Sequence, residues 1–105
     1  MSSLSRREEQ VLLAVWNLKD RAYLLGIKNY LTGITDMEWS LGAVQKPLLQ
    51  LERKQFIRSA MGEATPVRGG RRKKIYSITE PGILVLKNVR KEQEVLWKNF
   101  LEEIS

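Results

Sequence analysis

Residues 68–79 read Arg68-Gly69-Gly70-Arg71-Arg72-Lys73-Lys74-Ile75-Tyr76-Ser77-Ile78-Thr79. Five of the first seven are cationic and the other two are glycines, while Ile75, Tyr76 and Ile78 are the β-branched and aromatic residues of a strand. Gly69-Gly70 permits the positive-φ geometry of a tight hairpin tip. The stretch is therefore a basic tip on a returning strand, the shape of a phosphate-contacting loop.

Runs of charge usually face water and do nothing else, so the distribution of charge decides the reading. Between Ser40 and Thr79 nine basic residues face two acidic ones, a net +7, whereas the whole chain carries +6. Everything outside that segment thus sums to −1. A localised excess is the footprint of a polyanion-binding surface rather than of general solubility.

Immediately upstream, Phe56, Ile57 and Ser59 read as the outgoing strand, and residues 60–70, with Gly62 and Pro66, as the loop between the strands. Before them Ser40 is placed to cap a helix running to about Lys54, with Val44, Leu48 and Leu51 on its inward face. Its opposite face carries Ala43, Lys46, Gln50 and Arg53, which suits a major groove, where Gln pairs with adenine and Arg or Lys with guanine or phosphate. Pro47 interrupts this helix at a cost of about 3 kcal/mol in regular geometry, so it reads as a shaping residue.

Nearer the N-terminus, Ser5 and Glu8 have capping-box spacing, and Val11, Leu12, Val15 and Trp16 follow at helical intervals. A first helix over 6–18 is expected, with Trp16 in the core. Asp20 is placed to cap a second helix over 21–31, with Leu24, Ile27 and Leu31 on one face and Gly33 at its end. Residues 34–39 read as a short edge strand. The order helix, helix, helix, hairpin is a winged helix-turn-helix.

Thr79-Glu80-Pro81-Gly82 opens a last helix, from about Pro81 to Glu103, roughly 34 Å long at 1.5 Å per residue. Ile83, Leu84 and Leu86 are expected to pack on the winged domain. Beyond a polar interval, Leu96, Trp97, Phe100, Leu101 and Ile104 form a second apolar cluster that a single subunit has nothing left to cover. Burial against a symmetry mate is worth on the order of 10 kcal/mol gross before association costs. The fold class is thus mostly α with a small β-hairpin: a DNA-binding domain over 1–79 and a C-terminal dimerisation helix over 80–105. Twofold symmetry would present two reading helices to two half-sites.

Composition closes other routes. The chain has 105 residues, no cysteine and no histidine, which removes thiolate and imidazole metal sites, disulfides and Ser-His or Cys-His nucleophiles. No enzyme activity and no cofactor are expected. The apolar runs fall short of the ~20 residues that cross a bilayer, and Met-Ser-Ser-Leu-Ser-Arg-Arg lacks a secretory apolar stretch, so the expectation is a cytoplasmic protein.

Several stretches together carry a family likeness: Glu9 to Leu13, Ala22-Tyr23, Gly42-Ala43-Val44, Leu51-Glu52-Arg53, Arg58-Ser59, Gly62-Glu63-Ala64-Thr65-Pro66, Arg68 to Lys73, and Thr79-Glu80-Pro81-Gly82. With these the chain resembles, over nearly its whole length, the PadR family of bacterial transcriptional regulators. The resemblance implies a winged-helix fold, a homodimer formed through the C-terminal helix and repression of a nearby gene. Small-molecule effectors can relieve repression in that family by binding at the dimer interface, where Trp97 could flank a shared cavity but reads first as plain dimer packing. The chain departs from the family pattern at Gln45, where a tyrosine is usual, and at Leu24, where a glycine is usual.

The expected DNA-contacting residues on double-stranded promoter or operator DNA are Ser40, Ala43, Gln45, Lys46, Gln50 and Arg53 of the reading helix (40–54). Arg68, Arg71, Arg72, Lys73 and Lys74 of the wing (60–78) are expected on the phosphate backbone. Two other partners suit the same charge, an acidic protein gripped by the exposed face and an anionic membrane surface held by residues 71–74.

Overall fold

Ser5 starts the first helix as its pattern requires. In the computed structural model, which describes residues 4–62 and 73–104, its Oγ accepts from the Glu8 amide at 3.1 Å and its own amide donates to Glu8 Oε1 at 2.8 Å. This capping box opens α1 (Arg6–Leu18), which buries Val11, Leu12, Ala14 and Val15. Trp16, expected in the core, is 47% exposed. It lies 100° past Val15 on the helix, at the rim, where Lys19 Nζ sits 3.1 Å above its ring.

The second helix departs from its expected bounds at both ends. Residues Lys19–Arg21 form one 3-10 turn, and α2 (Leu24–Thr35) begins three residues after the expected position, with Tyr23 and not Asp20 in the capping place. Ala22 is fully buried and its carbonyl accepts from the Tyr76 amide at 2.8 Å. That tertiary contact holds residue 22 out of the helix, overriding the local signal at Asp20. Gly33 does not end α2. The helix runs to Thr35, whose Oγ1 donates to the Leu31 carbonyl at 2.7 Å, and Asp36 closes it in the left-handed conformation at φ 57°.

No strand forms over 34–39. Trp39 folds inward instead, with its ring Nε1–H donating to Thr35 Oγ1 at 2.9 Å and its amide to Thr32 Oγ1 at 3.2 Å. A buried Trp needs a partner for its N–H, and the end of α2 supplies one. Ser40 then caps α3 (Leu41–Arg53), its Oγ accepting from Ala43 N at 3.1 Å, and Val44, Pro47, Leu48 and Leu51 turn inward. Gln55, at φ 65°, reverses the chain so that Phe56 N–H returns to the Leu51 carbonyl at 3.0 Å.

The wing strands are β1 (Ile57–Met61) and β2 (Lys74–Ile78), paired antiparallel with Ile57 opposite Ile78 and Ser59 opposite Tyr76. The hairpin tip, with Gly69-Gly70 and the cations Arg68, Arg71 and Arg72, lies outside the described residues. Thr79 leads into α4 (Glu80–Ile104), accepting from Gly82 N at 3.2 Å. Its 25 residues span about 37 Å, most of the 58 Å long axis of the molecule.

One contiguous core joins α1, α2, α3, the wing and the start of α4, through Leu12, Ile27, Leu51, Tyr76 and Val85 among others. Each such leucine or isoleucine contributes about 1.5–3 kcal/mol by leaving water. On α4 the inward stripe is Gly82 and Val85, both buried, followed by the half-buried Leu86, Val89 and Gln93, so Leu84, expected against the winged domain, points away and is 60% exposed. Gln93 Nε2 donates to both carboxylate oxygens of Glu9 at 3.1 Å, fixing α4 along α1. Past Gln93 nothing among the described residues covers the helix.

Candidate nucleic-acid interface

Helix α3 is held from below by its apolar face and at its C-terminal end by charge. Lys54 Nζ reaches Glu8 Oε2 at 2.8 Å, and Glu8 is only 3% exposed. Burial pushes the Glu8 carboxyl up, but the hydrogen bonds from Lys54 and Ser5 and the attraction of Lys54 outweigh it, leaving its pKa below the ordinary value. The pair pins the N-terminus of α1 to the end of α3. Ser59 Oγ similarly donates to Glu52 Oε2 at 2.8 Å, tying α3 to the first wing strand.

What remains outward on α3 is an arc whose centre is Gly42, Lys46, Leu49 and Arg53, at successive intervals of four, three and four residues, all exposed. Gln45 lies on one flank of this arc and Gln50 on the other. Gln50 and Lys46 share a cleft of about 340 Å³ with Ser5 and Arg7 of α1. Gln45 shares a larger one with the wing residues Lys73 and Lys74. Helix α3 thus stands between two shelves, the first turn of α1 and the second strand of the wing.

The expected site residues divide accordingly. Gln45, Lys46, Gln50, Arg53, Lys73 and Lys74 are all exposed and gathered on this side. Ser40 is also exposed, with its hydroxyl used as the helix cap. Ala43 is half-buried against the core and offers little to the open face. Arg68, Arg71 and Arg72 lie outside the described residues. None of Lys46, Arg53, Lys73 and Lys74 is in an ion pair among the described residues, so their charge is available to a polyanion.

Two residues of this surface escaped the sequence reading. Arg7 is held with its guanidinium 4.6 Å over the Trp39 ring, on the shelf beside Lys46 and Gln50. The capping box places Arg7 at a helix start, but only the α1–α3 packing brings it beside α3. Leu49 is 54% exposed at the middle of the arc. Its position between Lys46 and Arg53 was readable from helical spacing alone.

A three-helix body with a two-stranded wing and a projecting basic helix face defines a winged helix-turn-helix protein. Solved structures with the same fold include a transcriptional regulator from Clostridium thermocellum, at 22% identity and TM-score 0.74 over 98% of this chain and all of that one. A PadR family transcription regulator from Clostridium difficile is 22% identical at TM-score 0.71, covering 92% of this chain and 98% of its own. A PadR-like transcriptional regulator from Bacillus cereus is 16% identical at TM-score 0.71, covering 90% of each chain. The chain therefore has the winged-helix fold of PadR-family regulators, including the long terminal helix. No family model and no curated protein matches the sequence.

Proposed function

We propose that the protein is a homodimeric, sequence-specific DNA-binding transcription regulator that acts as a repressor. Helix α3 enters the major groove, Gln50 and Gln45 address base edges, and Lys46, Arg53, Lys73, Lys74 and Arg7 bind phosphates on either side. The observation that carries this reading is the gathering, on both shelves of one projecting helix, of exposed cations that form no ion pair among the described residues. The solved relatives of this fold are named as transcription regulators, which supports the same assignment.

Dimerisation through residues 80–105 follows from Leu96, Trp97, Phe100, Leu101 and Ile104, each between 51% and 69% exposed on the uncovered part of α4. Trp97 and Phe100 already stack edge to face, with centroids 5.8 Å apart, as one half of an aromatic contact. The decisive experiment selects preferred duplexes from a random-sequence pool and compares them with a scrambled duplex. Gln50→Ala should reduce the preference by about a hundredfold, one base contact of about tenfold lost in each of two subunits, while leaving scrambled-duplex affinity unchanged. Equal preference in wild type and variant would remove base reading by Gln50 from the account.

A further inference from the structure

The wing-facing flank of α3 is apolar in the middle of a cationic surface. Leu41 and Leu49 stand on either side of Gln45, and Leu25 of α2 faces them, with exposures of 45%, 54% and 51%. All three open onto one cavity of about 520 Å³ between α2, α3 and β2. That volume falls in the range of small-molecule sites, roughly 300–1,000 Å³. Phosphate contact does not account for three exposed leucines around one hollow.

The remaining walls specify the occupant. Tyr23 and Tyr76 contribute ring surface, and the main-chain bond from Tyr76 N to the Ala22 carbonyl, at 2.8 Å, holds the two sides at fixed separation. At the rim, Lys73 Nζ lies 4.2 Å above the Tyr23 ring and Lys74 Nζ 5.8 Å from the Tyr76 ring. Among the described residues no carboxylate lines the cavity. A neutral or cationic guest would leave both ammonium groups without a counter-charge.

We propose that this cavity binds a small organic anion with a flat apolar body, the body against the leucines and tyrosines and the acidic group between Lys73 and Lys74. No residue of α4, Trp97 included, is among the lining residues. Gln45, Lys73 and Lys74 also belong to the DNA-contacting surface proposed above, and on that reading anion and DNA compete for the same side chains. Each then weakens the other by the same factor, as linkage requires.

The full-length protein can be titrated with 8-anilinonaphthalene-1-sulfonate, an aromatic sulfonate that fluoresces in apolar sites, and with its uncharged counterpart N-phenyl-1-naphthylamine. The sulfonate is expected to bind once per subunit and about tenfold tighter than the neutral probe. Leu49→Gln and Lys74→Gln, both at exposed positions, should each weaken it about tenfold with unchanged thermal melting, and Trp97→Ala should not weaken it. Unaltered binding in the two head variants, loss in Trp97→Ala, or equal affinity for the neutral probe overturns the site. Adding a scrambled duplex should displace the sulfonate. A duplex that binds without displacing it overturns the competition, whereas a duplex that fails to bind at all refutes the DNA reading and leaves the anion site standing.

Discussion

Replacing Arg7 by Gln should lower the salt dependence of DNA binding by a definite amount. Lys46, Arg53, Lys73 and Lys74 on α3 and the wing, with Arg7 on the α1 shelf, are exposed cations with no ion pair among the described residues, and about four of the five are counted as phosphate contacts in each subunit. Four phosphate contacts per subunit make about eight per dimer, so log affinity should fall with log salt at a slope near −7. Between about 50 and 200 mM salt that is a loss of roughly four decades. Arg7→Gln removes two contacts per dimer and should bring the slope to about −5.5. Sequence preference should stay unchanged, because phosphate contacts carry no base information. Fluorescence anisotropy on a duplex of two to three helical turns, over a salt series, measures both slopes. A wild-type slope shallower than about −2 would refute the phosphate clamp. A slope indifferent to Arg7→Gln would refute its α1 shelf.

Glu8→Gln should cost about 2 kcal/mol at neutral pH, because it removes the charge from a buried carboxylate that accepts from Lys54 and from the Ser5 amide. The folded-state pKa of Glu8 is depressed, so its contribution is present above the ordinary value near 4.5 and is lost as pH falls through the lower folded value. Urea midpoints of wild type and variant should converge below that value, and a gap that persists undiminished in acid would contradict the pairing. Trp97→Ala combined with Phe100→Ala should convert the proposed dimer to monomer by sedimentation at micromolar concentration, with far-UV dichroism retained. A dimer that survives would move the interface elsewhere. Gly82→Ala should destabilise by about 1–3 kcal/mol, since an added Cβ would collide with the Phe56 carbonyl oxygen beneath it. Equal thermal stability of the variant would mean that α4 sits further from the turn than described.

The parts of the fold written in short-range chemistry were legible. The Ser5–Glu8 box and the Ser40 cap set the starts of α1 and α3, and the alternating residues of 74–78 set the returning strand. What escaped was decided by contacts distant in sequence. Asp20 has the chemistry of a cap, yet a strand more than fifty residues later takes the Ala22 carbonyl and delays the helix. Residues 34–39 carry the β-formers Ile34 and Trp39, but the hydroxyls of Thr32 and Thr35 capture Trp39. For the candidate site the charge and amide positions of α3 followed from helical spacing, whereas Arg7 needed the packing of α1 on α3. Trp16 and Leu84 show the remaining limit: adjacent apolar residues at the edge of a stripe differ by 100°, and small shifts in helix placement decide which is wet.

Thr79 is a short residue with several obligations. Its amide donates to the Phe56 carbonyl at 3.0 Å and its hydroxyl to the Gln55 carbonyl at 2.7 Å. The same hydroxyl and the Thr79 carbonyl receive the amides of Gly82 and Ile83, the third and fourth residues of α4. The turn that finishes α3 and the root of α4 are thereby clasped by one side chain, with Gly82 leaving no slack against Phe56. Tilting the rod must either snap that clasp or drag residues 55–56 along with it, so Thr79 is a fulcrum on which movement of α4 becomes movement at the foot of α3.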